Sequence, residues 1–135
     1  MAFKLYSTDD GHVPAWEYQT LASGVKAEVG LGLAFNGVGK LTASKTPTHI
    51  CMMSNGGAVL SADTEAPVVA IQPDQIWETA LHVRPDSTLY PGMSIGLADN
   101  CLLADPDNTT NAVFEITYIA GQAMGDIVRG KFVNE

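Results

Sequence analysis

Basic residues are scarce in this sequence. Seven Lys and Arg stand against fifteen Asp and Glu, for a formal net charge of −8. The seven are scattered, with no two adjacent. Phosphate backbones are gripped by clustered Lys and Arg, so no nucleic-acid partner is expected. The same scarcity argues against an anionic membrane surface. Long apolar runs are missing too: no stretch approaches the roughly 18 residues that a transmembrane helix needs. The opening stretch, MAFKLYSTDDG, has no apolar core of the kind a secretory signal requires. The expectation is a soluble protein made in the cytoplasm, with no membrane partner.

Cysteine is limited to Cys51 and Cys101. Their flanks, HICMM and NCLLA, read as buried strand positions, where a free thiol behaves as a small apolar group. Reduced core cysteines are therefore favoured, with a single bridge as the alternative. The histidines His12, His49 and His82 have no i, i+2 or i, i+4 spacing, and no Cys/His cluster offers a zinc site.

What is present is apolar content and turns. Hydrophobic residues make up 46% of 135 residues, enough for one domain with a real core. Thirteen Gly and seven Pro favour many short strands over a few long helices. Val29–Phe35 and Gly39–Ser44 flank an Asn-Gly turn and read as a hairpin. Further strands are expected at His49–Ser54, Pro67–Gln72, Gln75–Val83, Met93–Ala98, Cys101–Ala104, Val113–Ala120 and Asp126–Val133, with Val59 in a short linking strand. The fold class is all-β: a compact small barrel or sandwich of about eight mostly antiparallel strands.

Residues 1–20 read as an extended arm, and 21–135 as the single β domain. Thr8-Asp9-Asp10-Gly11 is a turn signal within the arm, and Pro14 disfavours helix before it. Phe3, Tyr6, Trp16 and Tyr18 either pack on the protein's own β domain or dock on a neighbour. Gly30, Gly92 and Gly125 each stand before an apolar strand, as at a tight turn. They read as repeated local solutions to curling a sheet; no internal duplication is inferred, because the intervening sequence does not repeat.

Chemistry is hard to find. GLGLAFNGVGK is no phosphate loop, since Lys40 is followed by Leu41 and no helix pattern follows. Asp99, Asp105, Asp107 and Asn108 offer oxygens for a hard cation, yet the spacing departs from the EF-hand. The Asp105–Asn111 loop therefore reads as a turn. His82 and Asp86 lack a serine nucleophile motif, and Ser54-Asn55-Gly56 is a turn. Glu78, Glu115 and Asp126 are expected to face solvent rather than pair as acid and base. Met52, Met53, Met93 and Met124 are expected to fill core gaps. No catalytic residue, metal or cofactor is assigned.

The order of features nevertheless has a likeness. After the aromatic arm come VGLGLAFNGVGKLTAS, TPTHICMM, VVAIQPDQIWETAL, LYPGMSIGLAD and VFEITYIAGQAMGDIVRGKF. Over residues 14–133 this resembles the small auxiliary head, or decoration, proteins of tailed bacteriophages and prophages. The resemblance implies a compact β fold without catalysis or cofactor, bound to the outer surface of the virion's capsid. It implies the major capsid protein as partner, and for some members a trimer. Tyr6, Trp16 and Tyr18 are the expected anchors to the capsid or to a neighbouring subunit. The rival reading is a small carbohydrate- or ligand-binding β domain of a phage fibre or host protein. A small β-barrel enzyme has the weakest support.

Overall fold

The computed structural model describes residues 2–8, 14–53 and 64–133. Asp9–Gly11, His12, Ser54–Gly56 and Val59 lie outside them. Among the described residues the protein is all-β, without helices. Its strands are β1 (Lys4–Thr8), β2 (Glu17–Thr20), β3 (Gly32–Phe35), β4 (Leu41–Ala43), β5 (His49–Cys51), β6 (Glu65–Ala70), β7 (Gln75–Ala80), β8 (Ser94–Leu97), β9 (Ala104–Asp105), β10 (Phe114–Ile119) and β11 (Ile127–Phe132). They form a five-stranded sheet, β2-β6-β5-β3-β4, and a six-stranded sheet, β1-β7-β11-β10-β8-β9. All strand ladders are antiparallel. Neither sheet is a closed barrel.

The two sheets are one unit built twice. With β1 set aside, each runs first, fifth, fourth, second, third strand of its own segment. The registers coincide. Glu17–Thr20 pair with Val68–Glu65, as Trp77–Ala80 pair with Gly130–Ile127. Leu33 faces His49, as Ile95 faces Phe114. Phe35 faces Leu41, as Leu97 faces Ala104. The bonds outside the ladders match as well. Leu21 forms an isolated parallel bridge with Leu41, and Leu81 does so with Ala104. The amide of Gly30 donates to the Cys51 carbonyl at 2.8 Å, and that of Gly92 to the Ile116 carbonyl at 2.7 Å. Both glycines have positive φ, 87° and 97°, where a Cβ is strained. The glycine-led rhythm of the sequence is thus partly a duplication after all. It goes unseen because equivalent positions exchange volume: Leu41 answers Ala104, and Val68 answers Gly130, where the Phe114 ring fills the space beside Gly130.

Each unit curls toward closure around its own core. The first holds Leu21, Leu33, Leu41, Cys51, Ala66 and Val68; the second holds Trp77, Leu81, Leu97, Phe114, Ile116 and Val128. The cores interlock. Cys101, from the second unit, belongs to the first cluster, while Ile50 and Val69, from the first unit, belong to the second. The Gly32 amide donates to the Cys101 carbonyl at 2.9 Å, and Lys45 pairs with Asp99 across the same seam.

Residues 2–8 and 14–20 are stitched into this body. β1 pairs with β7, and β2 pairs with β6. Phe3 is buried, its ring 5.5 Å from Phe114 and 5.2 Å from Phe132. Gln75 serves the link between units: its Oε1 accepts from the indole N–H of buried Trp77 at 3.1 Å, and its Nε2 donates to the Ala70 carbonyl at 3.2 Å.

Two local expectations are corrected. The strand expected at Cys101–Ala104 begins only at Ala104, because Asn100 Oδ1 accepts the Leu102 amide and Cys101 turns through φ 59°. Met53, Met93 and Met124 are exposed rather than core filling, while Met52 packs on the second cluster.

Candidate functional site

Two β-bulges aim tyrosines at one arginine. The β1–β7 ladder shifts register between Leu5 and Ser7, which places Tyr6 at a bulge. The β10–β11 ladder shifts between Ile116 and Tyr118. Bulges re-aim side chains and are common beside functional sites. Here the Arg129 guanidinium carbon lies 3.8 Å from the Tyr6 ring centroid and 4.5 Å from that of Tyr118. Both distances are within cation–π range.

Beneath this stack lies Glu78. It is only 6% exposed, and cross-strand register sets Arg129 and Lys4 on either side of it. Glu78 Oε2 accepts from Arg129 Nε at 2.7 Å, and Oε1 pairs with Lys4 Nζ at 3.2 Å. Arg129 first, and Lys4 with it, hold the Glu78 carboxyl below its ordinary value. Glu78 in turn raises the Arg129 pKa. The expectation that Glu78 faces solvent is therefore corrected. Its strand is central, flanked by β1 and β11, and the side chains of Lys4 and Arg129, the latter stacked on Tyr6 and Tyr118, lie over its carboxylate.

Tyr6, Trp16 and Tyr18 are exposed by 51%, 49% and 63%. They fall on two sheets: Tyr6 on the six-stranded one, Tyr18 on β2 of the five-stranded one, with Trp16 just before β2. Next to Tyr18, the Glu17 carboxylate is engaged by His49 Nε2 at 3.0 Å. The His49 Nδ1 lies 2.8 Å from the Thr48 hydroxyl, and its ring meets Phe35 edge-on. Tyr118, Arg129, Glu78 and Lys4 were not singled out from the sequence as a site. The signal was there in part: Arg129 is one of only seven basic residues in the sequence.

The acidic loop spends its side chains on turns. Asp105 Oδ1 accepts the Asp107 amide at 2.9 Å, and Asn108 Nδ2 donates to the Leu97 carbonyl at 3.0 Å. Asp126 Oδ2 likewise accepts the Ala123 amide. Among the described residues no group of three or more His, Cys, Asp or Glu is placed to hold a metal. An open depression of about 340 Å³ is lined by Pro85, Asp86, Leu89, Met93, Ile95 and Asp107, among others. No helix of the described residues is long and apolar enough to cross a membrane.

Compared with known proteins, the chain matches no family model and no curated protein. The class defined here is a two-unit antiparallel β protein that carries a rigid tyrosine–arginine platform and a separate aromatic strand edge.

Proposed function

We propose that this protein decorates the outer surface of a tailed-phage capsid, binding the major capsid protein without catalysis. The observation that carries the reading is the Tyr6–Arg129–Tyr118 stack on the outer face of the six-stranded sheet. Tyr and Arg are enriched among interface hot spots. The stack is held in place by the salt bridge to Glu78, so little side-chain entropy is lost on docking. The likeness of the sequence pattern to decoration proteins supports the reading, as does a net charge of −8, which keeps a high-copy protein soluble.

The test is binding to mature phage heads stripped of the protein, with bound copies counted after pelleting. Deleting residues 1–18 is a poor probe, because it removes Phe3 and β1 from the fold. Tyr6→Ala combined with Tyr118→Ala is the better variant, since both side chains are exposed. Saturation by the wild type and loss with the double variant support the reading; no binding of the wild type to any head refutes it.

A second reading, a ligand- or carbohydrate-binding domain, is favoured by the depression between Asp86 and Asp107. A glycan screen checks it.

A further inference from the structure

Within the chain the two units meet head to tail. The second unit offers a turn, the β8–β9 connection at 98–103, and the first unit seats it. The Cys101 carbonyl accepts the Gly32 amide, Ser44 and Pro47 stand around the same spot, and Lys45 pairs with Asp99 of the turn. The contact is not returned. The matching turn of the first unit is the β3–β4 connection at 36–40, and it is built alike. Asn36 Oδ1 accepts the Val38 and Lys40 amides, as Asn100 Oδ1 accepts that of Leu102. At its tip Val38 is 77% exposed, the most of any large hydrophobic side chain among the described residues.

The seat is repeated too, and in the second unit it is open. Gly32 pairs with Ile50 as Ser94 pairs with Glu115, so Ser94 holds the position of Gly32. The β9–β10 connection, with Pro106 and Asp107, answers the β4–β5 connection, with Ser44 and Pro47. Ser94, Pro106 and Asp107 line the depression of about 340 Å³, together with the apolar Leu89, Met93 and Ile95. Its lining comes from the second unit, so the chain's own 36–40 turn does not occupy it.

We propose that this depression seats the 36–40 turn of a second copy, so that the contact joining the units within a chain recurs between chains. Among the described residues each chain has one such turn unseated and one such seat open. The chemistry is complementary. Val38 meets Leu89, Met93 and Ile95. Within the chain the seat supplies the lysine and the turn the carboxylate, Lys45 and Asp99. Between chains the signs reverse, with Asp86 and Asp107 at the seat and Lys40 on the turn. The flanking faces change in the same sense. Ile50 and Val69 of the first unit belong to the cluster of Trp77 and Phe114. The equivalents of Ile50 and Val69 are Glu115 and Lys131, which are cross-strand partners, and those of Trp77 and Phe114 are Glu17 and His49. A seam that is apolar inside the chain is thus polar at both open ends, as suits an interface that is not permanent. Such a contact joins unlike surfaces, so it closes into a ring or runs on as a filament. It stands apart from the capsid reading, and it assigns the depression to protein rather than to a sugar.

The experiment uses the full chain and two variants, each with one end blocked. Val38→Asp puts a carboxylate on the turn, and Ser94→Trp fills the seat. Both positions are exposed, so both variants should be folded by circular dichroism. Asp107→Lys, also at an exposed position, is a second way to block the seat. Sedimentation equilibrium from ~10 µM to ~1 mM spans the weak association expected of a small contact. The wild type should self-associate over that range, and each variant alone should stay monomeric. Mixed, Val38→Asp and Ser94→Trp should form a dimer with one copy of each and nothing larger, because only one intact turn and one intact seat remain. When Val38→Asp is isotope-labelled, adding unlabelled Ser94→Trp should shift its amide resonances at Ser94 and Asp107 and leave those of its own 36–40 turn in place. A wild type that is monomeric at the top of the range overturns the proposal and leaves the depression to a small ligand. Self-association that survives Val38→Asp, or a mixture that stays monomeric, overturns it equally.

Discussion

Leu21 and Leu81 occupy the same place in two copies of one unit. Each is buried, follows its unit's first strand, bridges to the third, and donates its amide toward the fifth. Truncating either to Ala should cost about 2–5 kcal/mol, the range for a buried leucine that leaves a cavity. Because Cys101 plugs the first core while Ile50 and Val69 belong to the second, the units should unfold together. The check is urea unfolding in a Trp16→Phe background, where Trp77 alone reports the second unit. Leu21→Ala, although in the first unit, should lower the Trp77 midpoint as far as Leu81→Ala does. A Trp77 transition untouched by Leu21→Ala would show two independent units.

Gly30 and Gly92 are equivalent in backbone but not in surroundings. At Gly92 nothing lies within 4 Å of an added Cβ, so Gly92→Ala carries only the cost of positive φ, about 1–2 kcal/mol. At Gly30 the added Cβ would stand 2.5 Å from the Phe3 carbonyl oxygen and 2.7 Å from its nitrogen. Backbone cannot give way there without moving Phe3 out of the aromatic cluster. Gly30→Ala should therefore be the more destabilising by thermal melt. It should also speed trypsin cleavage after Lys4, whereas Gly92→Ala should leave that cleavage unchanged.

Glu78 links stability to acidity. Its folded pKa is lowered by Arg129 and Lys4, so its contribution is present above the ordinary carboxylate value, about 4.3. It is lost as pH falls through the folded value. Glu78→Gln should cost about 1.5–3 kcal/mol at neutral pH, the worth of a hydrogen bond to a charged group. The difference from wild type should begin to shrink below about pH 4.3, where the unfolded carboxylate takes up its proton, and should vanish once pH has fallen through the lowered native value. Melting temperatures of both proteins between pH 2.5 and 7 test this, and parallel curves would contradict it.

Strands in both halves of the fold were legible in the sequence. The alternation in VFEITYIA marked β10, and Asn36-Gly37 marked the β3–β4 hairpin. The start of the chain was not. β1 and β2 are short, and the bulge at Tyr6 breaks the period-two pattern by which a strand is recognised. Tyr6, Trp16 and Tyr18 stood out in the sequence, but whether they pack inward or face outward was left open there, and the structure exposes them. The Glu78–Arg129–Tyr118 group could not, because it is assembled by register across β7, β11 and β10, which single-strand patterns do not carry. The repeat was hidden for a related reason: Glu17 answers Trp77 and His49 answers Phe114, so hydrogen-bond geometry is shared more widely than residue type.

The cysteines supply a readout of this interlocked core. Both are free and buried, and both belong to the first cluster. Burial pushes each thiol above its ordinary value, and for Cys51 this outweighs the hydrogen bond it gives the Met53 carbonyl at 3.2 Å. A thiol reagent reacts with the thiolate, so native protein should be almost inert at neutral pH. Reaction then requires opening of the first core. Cys51 lies in a strand and Cys101 in a turn at the seam between the units, so Cys101 should be released by a smaller opening and react first. Leu21→Ala should accelerate both in proportion to its loss of stability, about tenfold per 1.4 kcal/mol, as long as opening is global. Disulfide-exchange kinetics on Cys51→Ser and Cys101→Ser, each retaining one thiol, separate the two rates. Rapid labelling of Cys51 in the otherwise native protein would contradict a closed first core.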